Sequence, residues 1–150
     1  MRLFIAIPIP TRIKGTLTAL CGGVDGARWQ DRERMHLTLR FIGEVSVAMA
    51  RDIDDALYQI TSPCFDLSLC GTGFFNERKL PRTLWAGIED DTALRSLHKK
   101  IQHSLKAVGL EPEHRRFHPH VTLARLNGSP LIEAVGYSAR YSEYKSPYFK

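Results

Sequence analysis

A short phrase occurs twice in the chain, and it constrains the fold more than any other feature. The first copy spans residues 35–41 and reads MHLTLRF, and the second spans residues 119–125 and reads PHVTLAR. Side chains of a β-strand alternate between two faces, so the His and Thr of each copy share one face. Two such strands side by side would bring two imidazoles and two hydroxyls onto one surface. These groups belong to His36, Thr38, His120 and Thr122, and they predict acid–base chemistry on an anion.

The predicted elements around the phrase also repeat. A strand, a helix and the His36 strand follow one another between residues 3 and 42, and the same order recurs between residues 84 and 125. Apolar side chains at helical spacing define the second helix, over residues 92–108. We therefore predict an α+β fold with two pseudo-symmetric lobes, each a β-sheet with its helix, and a site in the cleft between them.

The remaining elements follow from hydrophobic spacing. Residues 45–60 predict an amphipathic helix, and the alternation over residues 65–70 predicts a half-buried strand. Residues 71–75 contain two glycines and are interpreted as a turn into a polar, basic loop over residues 76–82. Residues 127–150 are polar and tyrosine-rich and show only weak patterning, so no element is predicted there.

Length and charge narrow the class of protein. At 150 residues the chain is most simply one domain, and 43% hydrophobic with 25% charged residues is ordinary for a globular protein. The formal net charge of +5 favours anionic partners, nucleic acid among them, although charge alone does not identify the partner.

The cysteines and the hydropathy pattern indicate the cellular location of the protein. Cys21, Cys64 and Cys70 are an odd number without metal-ligand spacing, and we predict buried free thiols rather than a disulfide. The apolar start carries two prolines and is not a secretory signal. No stretch approaches the roughly 20 apolar residues of a membrane span. These features predict a cytoplasmic location and no membrane partner.

The repeated residues suggest separate catalytic roles: a base, an acid and groups that bind the phosphate. Imidazoles have an ordinary pKa near 6.5, so at neutral pH one can act as a base and the other as an acid. Threonine hydroxyls can donate to phosphate oxygens, and a cation such as Arg125 can stabilise the developing charge. Arg125 is an odd number of positions after His120, so on a regular strand it faces the other way, and a bend or bulge past Leu123 would be needed to turn it onto the same face. No acidic or thiol ligand stands at the right spacing, and we predict no metal.

These residues resemble a known family. Residues 36–43 (HLTLRFIG) and 117–125 (FHPHVTLAR) look like the two signature motifs of the LigT-like branch of the two-histidine (2H) phosphoesterase superfamily. Within it, the closest likeness is to bacterial and archaeal RNA 2',3'-cyclic phosphodiesterases. The opening RLFIAI, the GFF at residues 73–75 and the Leu-Trp at residues 84–85 are similar to that family too. The likeness covers residues 1–150 as a single domain.

The resemblance implies a reaction and roles. It implies hydrolysis of a 2',3'-cyclic phosphate at an RNA end to a 2'-phosphate, without a cofactor, and in relatives the reversible joining of tRNA halves by a 2'–5' linkage. By the same resemblance His36 would protonate the leaving 3' oxygen and His120 would activate water. Thr38, Thr122 and Arg125 would hold the phosphate. The family usually continues with a further strand past the last residues of this chain, so the chain is expected to be either truncated at its C-terminus or a natural short form that a partner chain completes.

Several alternatives stay open at this stage. The enzyme can act on small cyclic nucleotides or remove terminal nucleotides from RNA, or the chain can be an RNA-end-binding module without turnover. Phe75 and Phe117 are core residues or contacts that stack on an RNA base. The basic residues of the 76–82 segment are solvated charges or contacts to RNA phosphates. His118 is interpreted as structural, because Pro119 separates it from His120.

Overall fold

The computed structural model describes residues 1–150 as four α-helices and six β-strands, which confirms the α+β class. The strands are β1 (Arg2–Pro8), β2 (Ala27–Trp29), β3 (His36–Glu44), β4 (Leu69–Glu77), β5 (Leu80–Ile88) and β6 (Val121–Leu126). The helices are α1 (Thr11–Thr18), α2 (Val47–Tyr58), α3 (Thr92–Ala107) and α4 (Leu131–Arg140). A short 3₁₀ helix, Arg32–Arg34, precedes β3.

The strands form one antiparallel sheet, and a single pair of residues joins its two halves. Their order is β1-β3-β6-β5-β4, and β2 lies beside the far end of β6. The β1–β3 half and the β4–β5–β6 half meet at one register position, Leu37 opposite Val121. Beyond it β6 pairs with β2, so the two halves diverge, and each carries one copy of the repeated phrase. This arrangement fits the predicted pair of lobes.

The core lies on one face of the sheet. Leu37 and Leu39 of the first copy and Val121 and Leu123 of the second are at most 4% exposed. The alternation in a strand therefore leaves the His and Thr positions on the opposite face, as the repeat predicts. The core face is completed by side chains of the helices, including Ile13, Leu17, Leu94, Ile101 and Leu105.

Local sequence explains where the helices begin and end. The Ser46 side chain accepts a hydrogen bond from the Met49 amide at 3.1 Å and begins α2. Gly109, with φ near 90°, follows the end of α3, and its left-handed conformation is one that glycine adopts without strain. The predicted helices are present with ends shifted by a few residues. None of the four helices is both long and apolar enough to span a membrane.

The predicted loop over residues 71–82 is wrong, because these residues form a β-hairpin. Strand β4 runs to Glu77 and β5 starts at Leu80, so only two residues turn. Gly73 is a glycine because the Trp85 ring lies against it: a Cβ at residue 73 would approach Trp85 Cζ2 to 2.3 Å. The glycine makes room for a side chain and does not mark a turn.

The C-terminal residues pack beside the start of β4. Leu67 exchanges two backbone hydrogen bonds with Phe149, at 2.7 and 2.9 Å, and Phe149 is 3% exposed. The Ser146 side chain accepts from the Leu69 amide at 2.9 Å. The predicted strand over residues 65–70 is thus an isolated bridge at Leu67, with regular pairing from Leu69 onward. Helix α4 lies in the region where no element is predicted.

The three cysteines are free, as predicted, but they are not all buried. Cys21 and Cys70 are half-buried and Cys64 is exposed. Burial raises the pKa of the Cys21 thiol. Cys64 is exposed because it follows Pro63 in the irregular segment between α2 and β4, outside the strand that the sequence predicts there.

Candidate active site

The register between β3 and β6 brings the two phrases together. Leu37 lies opposite Val121, and in an antiparallel pair each step forward on one strand is a step back on the other. In that register Thr122 comes opposite His36, and His120 comes opposite Thr38. All four side chains are half-buried and share the face opposite the core. The structure therefore brings the two histidines and the two threonines together on one surface, as the sequence predicts.

Both histidines are oriented by the same hydrogen bond. His36 Nδ1 donates to the Arg34 carbonyl at 2.6 Å, and His120 Nδ1 donates to the His118 carbonyl at 2.7 Å. A carbonyl only accepts, so in each neutral ring the proton is on Nδ1 and the Nε2 lone pair is free. No group of the chain bonds either Nε2. Both Nε2 atoms are thus available to transfer protons to or from a bound molecule.

Two aromatic rings lie beside His120. The ring of Phe75 meets it edge-on at 4.9 Å between centroids, and the Trp85 ring lies 6.3 Å away. Burial lowers the pKa of His120, and nearby His118 and Arg125 lower it further, while the hydrogen bond to the His118 carbonyl raises it. The net effect is a lowered pKa, which keeps the imidazole neutral at neutral pH. A neutral imidazole with a free Nε2 is a base.

His36 has a more open neighbourhood. Its ring lies 5.0 Å from that of Phe4, and the Phe4 ring lies 6.3 Å from that of Phe41. Phe4 is 51% exposed and Phe41 59%, which is unusual for phenylalanine. Phe4 and Phe41 are paired across β1 and β3, and both rings lie on the solvent side of these strands.

The threonines and Arg125 complete the polar surface. The Thr38 and Thr122 hydroxyls make no hydrogen bond within the chain, so their donors are free for a ligand. Arg125 is exposed, and its guanidinium donates to the Thr83 hydroxyl at 3.2 Å. The pairing of β5 with β6 passes from Leu84–Ala124 to Trp85–Thr122, which leaves Leu123 as an extra residue. This is the bulge that the sequence requires, and it puts Arg125 on the face of Thr122.

Two residues of α3 that the sequence does not single out hold Phe117, three residues before His120. Arg95 of α3 donates to the Phe117 carbonyl at 3.0 Å and pairs with Asp91 at 2.8 Å. The Phe117 ring stacks on His98, with centroids 3.9 Å apart and an interplanar angle of 2°. Arg95 and His98 are three residues apart on α3 and so lie on the same side of the helix. This spacing is the one sign in the sequence that both contact the same segment. Phe117 is thereby packed against the core and half-buried, and its contact with RNA stays a prediction.

A cavity of about 320 Å³ opens beside His118. Trp85, the Asp91–Arg95 ion pair and strand residues 70–72 line it together with Pro119. The ring of the exposed His118 lies 4.8 Å from that of Trp85. Its carbonyl orients His120, which fits the structural role predicted for this residue. Nowhere in the chain do three His, Cys, Asp or Glu side chains gather to hold a metal ion.

The chain is similar in sequence to known proteins. Residues 11–143 match a family described as the 2'-5' RNA ligase superfamily. A protein of Aeropyrum pernix named RNA 2',3'-cyclic phosphodiesterase is 39% identical over 69% of this chain and 59% of its own length. One of the same name from Geobacillus stearothermophilus is 30% identical over 81% of this chain and 41% of its own length. The chain thus spans less than two thirds of these two relatives.

The fold is similar to solved structures as well. The crystal structure of E. coli LigT complexed with 3'-AMP has a TM-score of 0.74 and 27% identity to this chain. The similarity covers 88% of this chain and 80% of that one. The fold of this chain is therefore shared with that protein over most of the length of both.

Proposed function

Because the chain belongs to the 2'-5' RNA ligase superfamily, we propose that it hydrolyses 2',3'-cyclic phosphates at RNA ends to 2'-phosphates. One observation carries the proposal: two imidazoles, each with Nδ1 bonded to a carbonyl and Nε2 free, share a face with two unpaired threonine hydroxyls. That set supplies an acid, a base and donors for phosphate oxygens. The names of the two relatives support RNA with a cyclic end as the substrate.

In this proposal His120 is the base and His36 the acid, and the lowered pKa of the half-buried His120 supports these roles. Neutral His120 takes a proton from water through Nε2, and the water oxygen forms a bond to phosphorus. The bond from phosphorus to the 3' oxygen breaks, and protonated His36 gives its proton to that oxygen. The products are a 3' hydroxyl and a 2'-phosphate. His120 ends protonated and His36 neutral, so one proton exchange with solvent restores the starting state.

The remaining residues bind the phosphate in this scheme. The Thr38 and Thr122 hydroxyls lie opposite the histidines of the neighbouring strand, where they donate to the non-bridging oxygens. Arg125 adds a positive charge and is steadied by Thr83. The cavity beside His118 receives part of the nucleoside, with Phe75 next to it as an aromatic contact. Joining of tRNA halves by the reverse reaction stays a prediction from the family resemblance.

The proposal is tested by turnover of a defined RNA end in the presence of EDTA. A short single-stranded RNA with a 2',3'-cyclic phosphate is incubated with wild type and with the double variant His36→Ala/His120→Ala. We expect wild type to give only the 2'-phosphate, identified by phosphorus NMR, and the double variant to give almost none. Binding of the 2'-phosphorylated product without turnover would instead favour an RNA-end-binding module. Turnover that is abolished by EDTA would contradict the metal-free scheme.

A further inference from the structure

The hairpin between β4 and β5 ends in a turn that its residues do not favour. Glu77 pairs with Leu80, so Arg78 and Lys79 form a two-residue turn. Their φ angles are 51° and 66°, and they are the only residues other than glycine with positive φ in the chain. Two positive φ angles define the turn that Asn-Gly adopts with least strain. Arginine and lysine at both positions are strained.

The two side chains of the tip contribute nothing to the fold that offsets this strain. Arg78 and Lys79 are exposed, and neither forms an ion pair or a side-chain hydrogen bond within the chain. Glu77 beside them is also unpaired. Strain that persists without a structural partner is typical of positions kept for binding. The tip, defined here as Arg78 and Lys79, therefore holds two free cations in a fixed turn.

The position of the tip points to its ligand. Strand β4 leads to it directly from Phe75, whose ring contacts those of His118 and His120. Three residues of strand place the tip roughly 10 Å beyond Phe75. A polyanion whose end lies at His120 would pass over Phe75 and reach this tip. The net charge of +5 favours the approach of such a chain.

We propose that the tip binds backbone phosphates of a single-stranded RNA a few nucleotides before its cyclic end. The proposal rests on the proposed function, because it takes the cyclic end to lie at His36 and His120. It makes the enzyme selective for oligonucleotides over cyclic mononucleotides, since a mononucleotide has no phosphate that reaches the tip. Selectivity arises from affinity and leaves the bond-breaking step unchanged.

The test replaces the tip by the dipeptide that the turn favours, Arg78→Asn/Lys79→Gly. We expect KM for a ten-residue RNA with a cyclic end to rise about fivefold at low salt, with kcat unchanged. Kinetics on a 2',3'-cyclic mononucleotide should stay as in wild type. The slope of log affinity against log salt for the oligonucleotide should become less steep by about 1.4, for two lost contacts to a single strand. Relief of the strained turn should raise Tm by about 3 °C or more.

Two further variants separate charge at this position from charge in general. The swap Arg78→Lys/Lys79→Arg keeps both cations and should retain wild-type KM. The variant Lys99→Gln/Lys106→Gln removes two unpaired charges from α3 and should leave KM for the oligonucleotide within twofold of wild type. An unchanged KM in the Asn-Gly variant, or an equal rise in the α3 variant, would overturn the proposal. Hydrolysis of neither substrate by wild type would contradict the proposed function instead.

Discussion

His36 and His120 are held alike, each by a hydrogen bond from Nδ1 to the carbonyl two residues earlier, but their rings have different neighbours. The ring of His36 lies against Phe4, which is half exposed. The ring of His120 lies inside a wall of Phe75 and Trp85, and burial lowers its pKa. The local geometry is the same, and in the proposed function the surroundings rather than the motif therefore decide which imidazole is the base.

The largest expected effect comes from removing the histidines one at a time. Both His36→Ala and His120→Ala should lower the rate on a cyclic RNA end by roughly 10²–10⁴-fold. The variants should differ on a nucleotide phosphodiester with a p-nitrophenol leaving group, since that group leaves without a proton. We expect His36→Ala to recover most of the wild-type rate on this ester and His120→Ala to recover none. The reverse pattern would exchange the two roles.

A second contrast separates the arginines that follow the two motifs. Arg40 is 6% exposed and donates to Gln102 and to the Glu111 carbonyl, whereas Arg125 is exposed and bonds only Thr83. We expect Arg125→Ala to lower kcat/KM by roughly 10- to 100-fold without changing stability, because it removes charge at the phosphate. Arg40→Ala should cost about 2–3 kcal/mol of unfolding free energy, measured by urea titration, because its partners are left unsatisfied. Equal losses of stability in both variants would contradict this contrast.

The smallest expected effect is a shift in the pH profile. A base with a lowered pKa stays neutral to a lower pH, so the acid limb of kcat/KM should lie below the ordinary histidine value of about 6.5. Phe75→Ala lets water reach His120, raises its pKa and should move this limb to higher pH. Phe4→Ala, on the His36 side, is the matched control and should leave the acid limb in place. A shift of the acid limb of kcat/KM in Phe4→Ala would instead assign the base to His36.

The sequence predicts the family better than some of the elements of the fold. The family membership predicted from the two motifs is confirmed, because alternation along a strand and the flanking aliphatic residues are local properties. The odd spacing of Arg125 makes a bend or bulge past Leu123 the condition for its role at the site, and the strand pairing has such a bulge. The proposed separation of base from acid is not predictable locally. It depends on the Phe75 and Trp85 rings, which long-range pairing of β4, β5 and β6 brings to His120.

The misread elements have different physical reasons. Gly71 and Gly73 resemble turn residues, but Gly73 is needed under the Trp85 ring, which is paired from another strand. The actual turn, at Arg78 and Lys79, lacks the residues that normally mark one, and the pairing of β4 with β5 overrides their local preference. Helix α4 begins after Pro130 and buries Ala134 and Tyr137, while its larger apolar side chains are exposed, so they do not mark one buried face.

The single ladder position between the two halves of the sheet has a mechanical consequence. A ladder of many hydrogen bonds would fix the angle between β3 and β6, whereas one position, Leu37 with Val121, constrains it less. We expect this angle to vary while both halves of the sheet stay folded. The amide protons of Leu37 and Val121 should then exchange with solvent sooner than those of the long β4–β5 ladder. A change in this angle would also change the distance between His36 and His120.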